Sequence, residues 1–334
     1  MNLLRKLLFP VVPIYYMVTW LRNKLYDVGM KPSISYNFPV ICVGNLSVGG
    51  TGKTPMIEYL IESLKDDYKV ATLSRGYKRK TQGFRLADSN DSADTIGDEP
   101  FQFYTKYHND GVGVAVDANR RRGINNLKAF EPEVILLDDA YQHRKVKAGF
   151  NILLTTFKKP YYKDIVLPFG DLREPKSGAK RANAIVVTKC PPDLNDSEKN
   201  KIIKYISPLA HQKVFFSAIS YSKLVYSTND SIELSSLRRF TLVTGIANAF
   251  PLVDFLKGET LLFDHLEFND HHNFSEDDIM NLSKKELILT TEKDFMRLKQ
   301  YEILEHKLYY LPIAVTIDDA AGFNEYILDF VKHS

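Results

Sequence analysis

Cysteine is nearly missing from this chain: there are two in 334 residues, Cys42 and Cys190, each inside an apolar run. Neither a disulfide framework nor a thiolate metal site has material to form, and reduced thiols suit a reducing cytoplasm. Glycine (17) and proline (15) are too few for a collagen-like or low-complexity chain. An excess of charge of one sign is also lacking: the net charge of +3 leaves no global electrostatic footprint for nucleic acid, and no nucleic-acid partner is expected. With 44% hydrophobic and 25% charged residues, the chain is a folded body long enough for about two domains.

A membrane-spanning stretch is missing at the N-terminus. The run from Phe9 to Leu21, FPVVPIYYMVTWL, has 13 residues, whereas a helix needs roughly 20 to cross a bilayer. Arg5 and Lys6 precede it, Arg22, Lys24 and Lys31 follow it, and Tyr15, Tyr16, Trp20 and Tyr26 supply interfacial aromatics. That composition suits a segment lying in the headgroup layer of an anionic membrane, with packing on the protein's own core as the alternative. A signal peptide is disfavoured because no small-residue cleavage site follows. Residues 1–32 are therefore expected to form an interfacial, peripheral or monotopic segment.

Further along, apolar runs alternate with helical patterns. PVICVG precedes a glycine loop, and Met56, Ile57, Leu60, Ile61 and Leu64 then recur at helical spacing. Other buried-strand candidates are 69–74, 111–116, 133–139, 150–156 and 184–189. The alternation predicts an α/β fold of the P-loop NTPase type, a mostly parallel sheet with helices on both faces, over 33–213. A restart of the pattern at 214 predicts a smaller C-terminal α/β domain over 214–334, with strands at VFFSA, FTLVTG, ELILTT and KLYYLPIAV and helices near 248–257, 275–283 and 322–332.

Between the first strand and its helix lies Ser47-Val48-Gly49-Gly50-Thr51-Gly52-Lys53-Thr54. Glycines let backbone N–H groups close around phosphate, Lys53 would reach the β and γ phosphates, and Thr54 would hold Mg²⁺. Ser47 stands where the general pattern has glycine. Asp138 and Asp139 end an apolar strand, where P-loop enzymes hold Mg²⁺; capping of the next turn is the alternative for one of them. VVTKCPPD resembles a guanine-reading loop, but Pro191 replaces the aspartate that would accept from the base, so ATP is the expected nucleotide.

Other polar clusters follow apolar segments. In Gly97-Asp98-Glu99-Pro100, Asp98 is either a helix cap or a base for a substrate hydroxyl. Asp270-His271-His272 would supply a histidine to orient that base; with Asp264-His265 it is a weak metal candidate. In LPFGDLREP, Arg173 suits phosphate and Glu174 a Mg²⁺ sphere, unless the turn is only a surface ion pair. The basic loops containing Arg75 and Arg120 sit on the expected ligand edge and can grip an anionic substrate.

Taken together, VGNLSVGGTGKTP, SRGY, GDEP, LLDDAYQH, LPFGDLREP, TGIAN, DHHNF and TEKD, in that order over nearly the whole chain, resemble the tetraacyldisaccharide 4'-kinase family, the lipid A kinases of Gram-negative bacteria. A hydroxyl residue at Ser47 is in keeping with that family; Ala140 departs from its usual glycine. The resemblance implies transfer of the ATP γ-phosphoryl group to the 4'-hydroxyl of the lipid A disaccharide 1-phosphate, at the cytoplasmic face of the inner membrane. It implies Asp98 as base with His271 as partner, and Lys53 on phosphate. Thr54, Asp138, Asp139 and Glu174 would serve Mg²⁺, and Arg75, Tyr77, Arg120, Gln142, His143 and Arg173 the substrate. The rival is a membrane-associated P-loop ATPase switch that binds a protein partner, for which GDEP and DHH have no use. Oligomeric state is not legible.

Overall fold

The structure, a computed structural model, describes residues 8–270 and 272–334. A helix, Val12–Asp27 (α1), precedes the first strand. Strands Val40–Asn45 (β1), Val70–Ser74 (β2), Arg85–Leu86 (β3), Gly113–Val116 (β4), Val134–Asp138 (β5), Phe150–Thr156 (β6), Ala184–Thr188 (β7) and Lys213–Tyr221 (β8) follow. Helices Lys53–Leu64 (α2), Ala93–Ile96 (α3), Asp98–Tyr107 (α4), Arg120–Leu127 (α5) and Asp196–Ile206 (α6) lie between them. A second run of strands is Leu224–Tyr226 (β9), Ser231–Glu233 (β10), Arg239–Thr244 (β11), Leu262–Glu267 (β12), Ile288–Thr291 (β13) and Leu308–Leu311 (β14). Phe250–Gly258 (α7), Glu276–Ser283 (α8) and Glu292–Leu298 (α9) accompany it, and Ile313–Ile317 (β15) and Ala320–Lys332 (α10) close the chain.

Among the described residues, nine strands form the large sheet in the order β15-β8-β7-β6-β1-β5-β2-β4-β3. Its centre is parallel: β1 pairs with β5 (Val43 opposite Asp138) and with β6 (Asn45 opposite Leu154). All six residues of β1 and all five of β5 are buried, as expected for strands covered on both faces. On one face Met56, Ile57, Leu60 and Ile61 of α2 meet Phe103 of α4 and Phe323 and Ile327 of α10. On the other, Ile124 and Leu127 of α5 and Ile206 of α6 pack with Tyr141 and Leu172. The sheet brings the loops after β1, β2, β4, β5 and β7 to one edge, where ligands of parallel sheets bind.

The division expected at residue 214 falls elsewhere. β8, which contains VFFSA, pairs parallel with β7, and β15 pairs antiparallel with β8, so both belong to the large sheet. The run KLYYLPIAV is two strands in two sheets, with Pro312 between them. The smaller sheet, β10-β9-β14-β13-β11-β12, is thus an insertion between β8 and β15 rather than a C-terminal half. The physical reason lies in α10: Phe323, Ile327 and Val331 recur along one face and bury against α2, and the Phe323 ring meets Tyr59 and Phe215 at 5.8 and 5.0 Å between centroids. β12 is an edge strand with no residue fully buried, so LFDHLE carries no apolar signature.

Because Phe323 is fully buried against α2, Phe323→Ala should lower stability by about 3–5 kcal/mol. Urea denaturation checks this; an unchanged midpoint would place α10 outside the main core.

Candidate active site

Left-handed backbone is required at Gly49 (φ 105°) and Gly52 (φ 88°), where the chain turns from β1 into α2. The loop is held from behind. Asn45 Nδ2 donates to Thr51 Oγ1 (2.8 Å), Thr188 Oγ1 to the Thr51 carbonyl (2.8 Å), and Lys189 Nζ to the Gly50 carbonyl (2.8 Å). Lys53 and Thr54 open α2, whose N-terminal amides and dipole favour an anion. Ser47 and Val48 sit at the loop's outer limb: Val48 N donates to the Asp171 carbonyl (2.8 Å) and Ser47 bridges Leu172, tying the phosphate loop to the 165–173 segment.

The paired carboxylates behave differently. Asp138 is buried; its Oδ2 accepts from Ser74 Oγ at 3.2 Å, whereas Oδ1 is buried with no protein partner. Burial, reinforced by Asp139, pushes its pKa up to about 6. Asp139 adopts a left-handed φ of 46° and meets Lys53 Nζ at 3.6 Å and Arg173 Nη1 at 3.1 Å. Burial raises its proton affinity, but Lys53 and Arg173 outweigh that and hold it below the usual range. An orphaned carboxylate oxygen beside a phosphate loop fits Mg²⁺, which takes one or two carboxylates and fills its sphere with phosphate and water. Among the described residues no cluster of three or more His, Cys, Asp or Glu side chains could hold a metal by itself.

Several expected ligands have structural partners instead. Glu174, expected at the metal, is 1% exposed. One of its oxygens accepts from Asn23 Nδ2 (2.5 Å), the other from Gln142 Nε2 (3.0 Å) and Arg181 Nη2 (2.8 Å), so it is the centre of a scaffold network. Gln142, expected on substrate, donates to the Asn45 carbonyl at 2.7 Å and cross-links the loops after β1 and β5. Arg120, expected on phosphate, is buried and donates to the carbonyls of Asp117 (2.9 Å) and Asp138 (3.1 Å), bracing the end of β5 from beneath. His143, expected on substrate, is driven neutral: burial, with help from Arg120, pulls its pKa down to about 4. Arg75 and Tyr77 line a cleft of about 490 Å³ with Lys78, Arg79 and Arg122.

The inserted domain reaches the site through α9. Arg297 donates through Nη2 and Nε to the two carboxylate oxygens of Asp98, the Nε contact being 3.2 Å. Asp294, itself buried, holds Arg297 at 3.3 Å and accepts from Gly245 N at 2.8 Å. Lys293 pairs with Glu99 (3.0 Å), and Lys106 sits between Glu58 of α2 (2.8 Å) and Glu292 of α9 (3.3 Å). Burial and the neighbouring Glu58 push Glu292 up to about 7. Arg297 escaped the sequence reading; its signal was the three-residue spacing from Asp294, which sets both on one helical face.

His271 lies outside the described residues. His272 pairs with Asp278 at 3.0 Å and packs on Phe268 and Phe274, at the cap of α8. Asp264 pairs with Arg239 and His265 with Thr244.

α1 inverts the usual amphipathic arrangement. Its polar side chains point inward: Tyr15 donates to the Arg173 carbonyl (2.9 Å), Arg22 to the Gln142 carbonyl (2.8 Å), and Asn23 to Glu174. Ile14, Met17, Val18 and Leu21, spaced as one helical stripe, are exposed. Beside them an apolar groove of about 310 Å³ lies between Val12, Pro13 and Tyr16 and the segment Ile165, Val166 and Leu172. No helix among the described residues is long and apolar enough to cross a membrane.

Residues 4–332 match the family model described as tetraacyldisaccharide-1-P 4'-kinase. The tetraacyldisaccharide 4'-kinase of Flavobacterium johnsoniae is 49% identical, with 100% of this chain and 99% of that protein covered. That of Bacteroides thetaiotaomicron is 43% identical over 99% of this chain and 94% of the relative. Among solved structures, the "apo" form of LpxK from Aquifex aeolicus, crystallised in complex with ATP, superposes with a TM-score of 0.80 at 30% identity, covering 98% of this chain and 100% of that one.

The raised Asp138 carboxyl makes a stability prediction. Its folded pKa of about 6 exceeds the ordinary 3.8, so the folded state holds the proton longer, and ionisation costs stability as pH rises through this window. Asp138→Asn should therefore stabilise the protein at pH 8 by about 2 kcal/mol, with the gain vanishing below roughly pH 4. Denaturant titrations at both pH values check it; a pH-independent difference would remove burial of the charge as the cause.

Proposed function

The chain belongs to the tetraacyldisaccharide-1-P 4'-kinase family, and from that premise we propose how its residues divide the work of the family's reaction. That reaction, in lipid A biosynthesis, is phosphorylation by ATP of the 4'-hydroxyl of the lipid A disaccharide 1-phosphate. The observation that supports the assignment is the Arg297 clamp on Asp98: the guanidinium donates to both carboxylate oxygens and so sets the direction of the group assigned as base.

In this reading the amides around Gly49–Thr54 and the Lys53 ammonium carry the β and γ phosphates, leaving Asp139 to Arg173. Thr54 and Asp138 would hold Mg²⁺, which would supply positive charge against the phosphate oxygens during transfer. Asp98 takes the proton of the attacking 4'-hydroxyl. Arg297 fixes the direction of that carboxylate, and His271 is assigned as its second partner. The basic cleft of Arg75, Tyr77, Arg79 and Arg122 receives the anionic head group. The outward stripe of α1 lies in the cytoplasmic leaflet of the inner membrane, so that the lipid acceptor is met at the bilayer surface. A protein-binding switch would have no use for a carboxylate held in a fixed direction by Arg297.

Asp98→Asn should retain ATP binding while lowering transfer to the lipid acceptor by about 10²- to 10⁴-fold, the range for losing general-base help. Radiolabelled ATP with a lipid A disaccharide 1-phosphate measures this, and normal transfer by the variant would return Asp98 to a structural role.

The membrane assignment has its own test. Deleting α1 would strip Glu174 of Asn23, so substitutions on the outward stripe are cleaner. Met17→Glu with Leu21→Glu should reduce cosedimentation with anionic vesicles by at least about tenfold without unfolding the protein. Unchanged cosedimentation would assign the stripe to some other contact.

A further inference from the structure

The turn after β7 has no part in the chemistry above, yet it is built as a support. Thr188 and Lys189 grip successive carbonyls of the phosphate loop, those of Thr51 and Gly50, each at 2.8 Å. Cys190 N donates to the Ser217 carbonyl on β8 at 2.9 Å, fixing the turn from its other side. Lys189 takes a left-handed φ of 57°, which a side-chain-bearing residue adopts at a cost, and such strain concentrates at ligand clamps. An ordinary surface lysine floats in water. Here the ammonium is tethered to the loop, and burial lowers its pKa, while the residue as a whole remains exposed. The side chain is therefore held along the flank of the phosphate loop.

Position adds to this. β7 is two strands from β1 in the large sheet, with β6 between, and its C-terminal end lies on the ligand edge. A nucleotide whose phosphates sit over Gly49–Thr54 must send its ribose and base away from α2 along that edge. Thr188-Lys189-Cys190-Pro191 has the order of a base-reading turn, with Pro191 at the position of a carboxylate acceptor.

We propose that Lys189 is the platform for the ribose and base of ATP, its tethered stem packing on the nucleoside while Pro191 leaves the base edge without a carboxylate reader. This rests on the kinase reading of the phosphate loop. The test is chosen to fail separately from it: binding of the non-hydrolysable analogue AMP-PNP and of inorganic tripolyphosphate, which has no nucleoside, to the full chain with Mg²⁺ by calorimetry. Lys189→Gly accepts the left-handed backbone and removes the stem; Lys189→Asn also tolerates that backbone and serves if the glycine variant does not fold. Either should weaken AMP-PNP at least about tenfold more than tripolyphosphate, which loses only the brace on the Gly50 carbonyl. Equal weakening of both ligands, or no weakening of AMP-PNP, would overturn the platform and leave Lys189 as a brace of the loop. A wild-type protein that binds tripolyphosphate as tightly as AMP-PNP would also overturn it while sparing the phosphate loop. Binding of neither ligand by the wild-type protein would remove the phosphate-loop reading and this one together.

Discussion

Two carboxylates placed side by side at the end of a buried strand repel each other, and the active-site architecture is organised around relieving that repulsion. The cations come from separate segments: Lys53 from the helix after β1 and Arg173 from the 165–173 segment, both onto Asp139. Arg120 acts from beneath, on the carbonyl of Asp138. To bring Arg173 there, the 165–173 segment is zipped to the phosphate loop through Val48 N to Asp171 and Arg173 N to the Leu46 carbonyl (2.7 Å). The loop's shape and the charge balance of the carboxylates are therefore one problem. Nucleotide phosphates would compete with Asp139 for Lys53, which frees charge at the moment a divalent cation is needed.

A second network hangs from the first. Glu174 follows Arg173 directly and turns inward to Asn23, Gln142 and Arg181, while the Arg173 carbonyl accepts from Tyr15. The apolar N-terminal helix is thereby attached by polar bonds to the residue pair that borders the carboxylates. Hydrogen-bonding Tyr15, Arg22 and Asn23 to the protein leaves the apolar stripe outside.

Much of this was legible in the residues. β1, the glycine loop and α2 were marked by a β-branched run, left-handed glycines and helical spacing, and the structure places them within a residue or two of expectation. Asp138 and Asp139 were marked by position at the end of an apolar strand, and Asp98 by the Gly-Asp-Glu-Pro turn that opens a helix. Partner choice was not legible. Glu174, Gln142 and Arg120 carry the right chemistry for ligands, but whether a polar group faces substrate or a neighbouring loop depends on contacts such as Asn23 to Glu174, 151 residues apart. The domain boundary failed for a related reason: Lys213–Tyr221 and Ile313–Ile317 read locally like any strand, and only their mutual pairing assigns them to the first sheet. Arg297 was hidden because its partner, Asp98, lies 199 residues earlier.

The insertion has a consequence for biogenesis. A ribosome delivers the phosphate loop early, but the large sheet cannot be completed until β15 and α10 emerge, after the whole inserted domain has been made. Through that interval the apolar faces of β8 and α2, destined for Val315, Phe323 and Ile327, stay uncovered. The inserted sheet, with its own buried cluster around Val225, Phe240, Leu242 and Leu256, can form meanwhile. In a chain of this topology the inserted unit has all its strands before the large sheet can close.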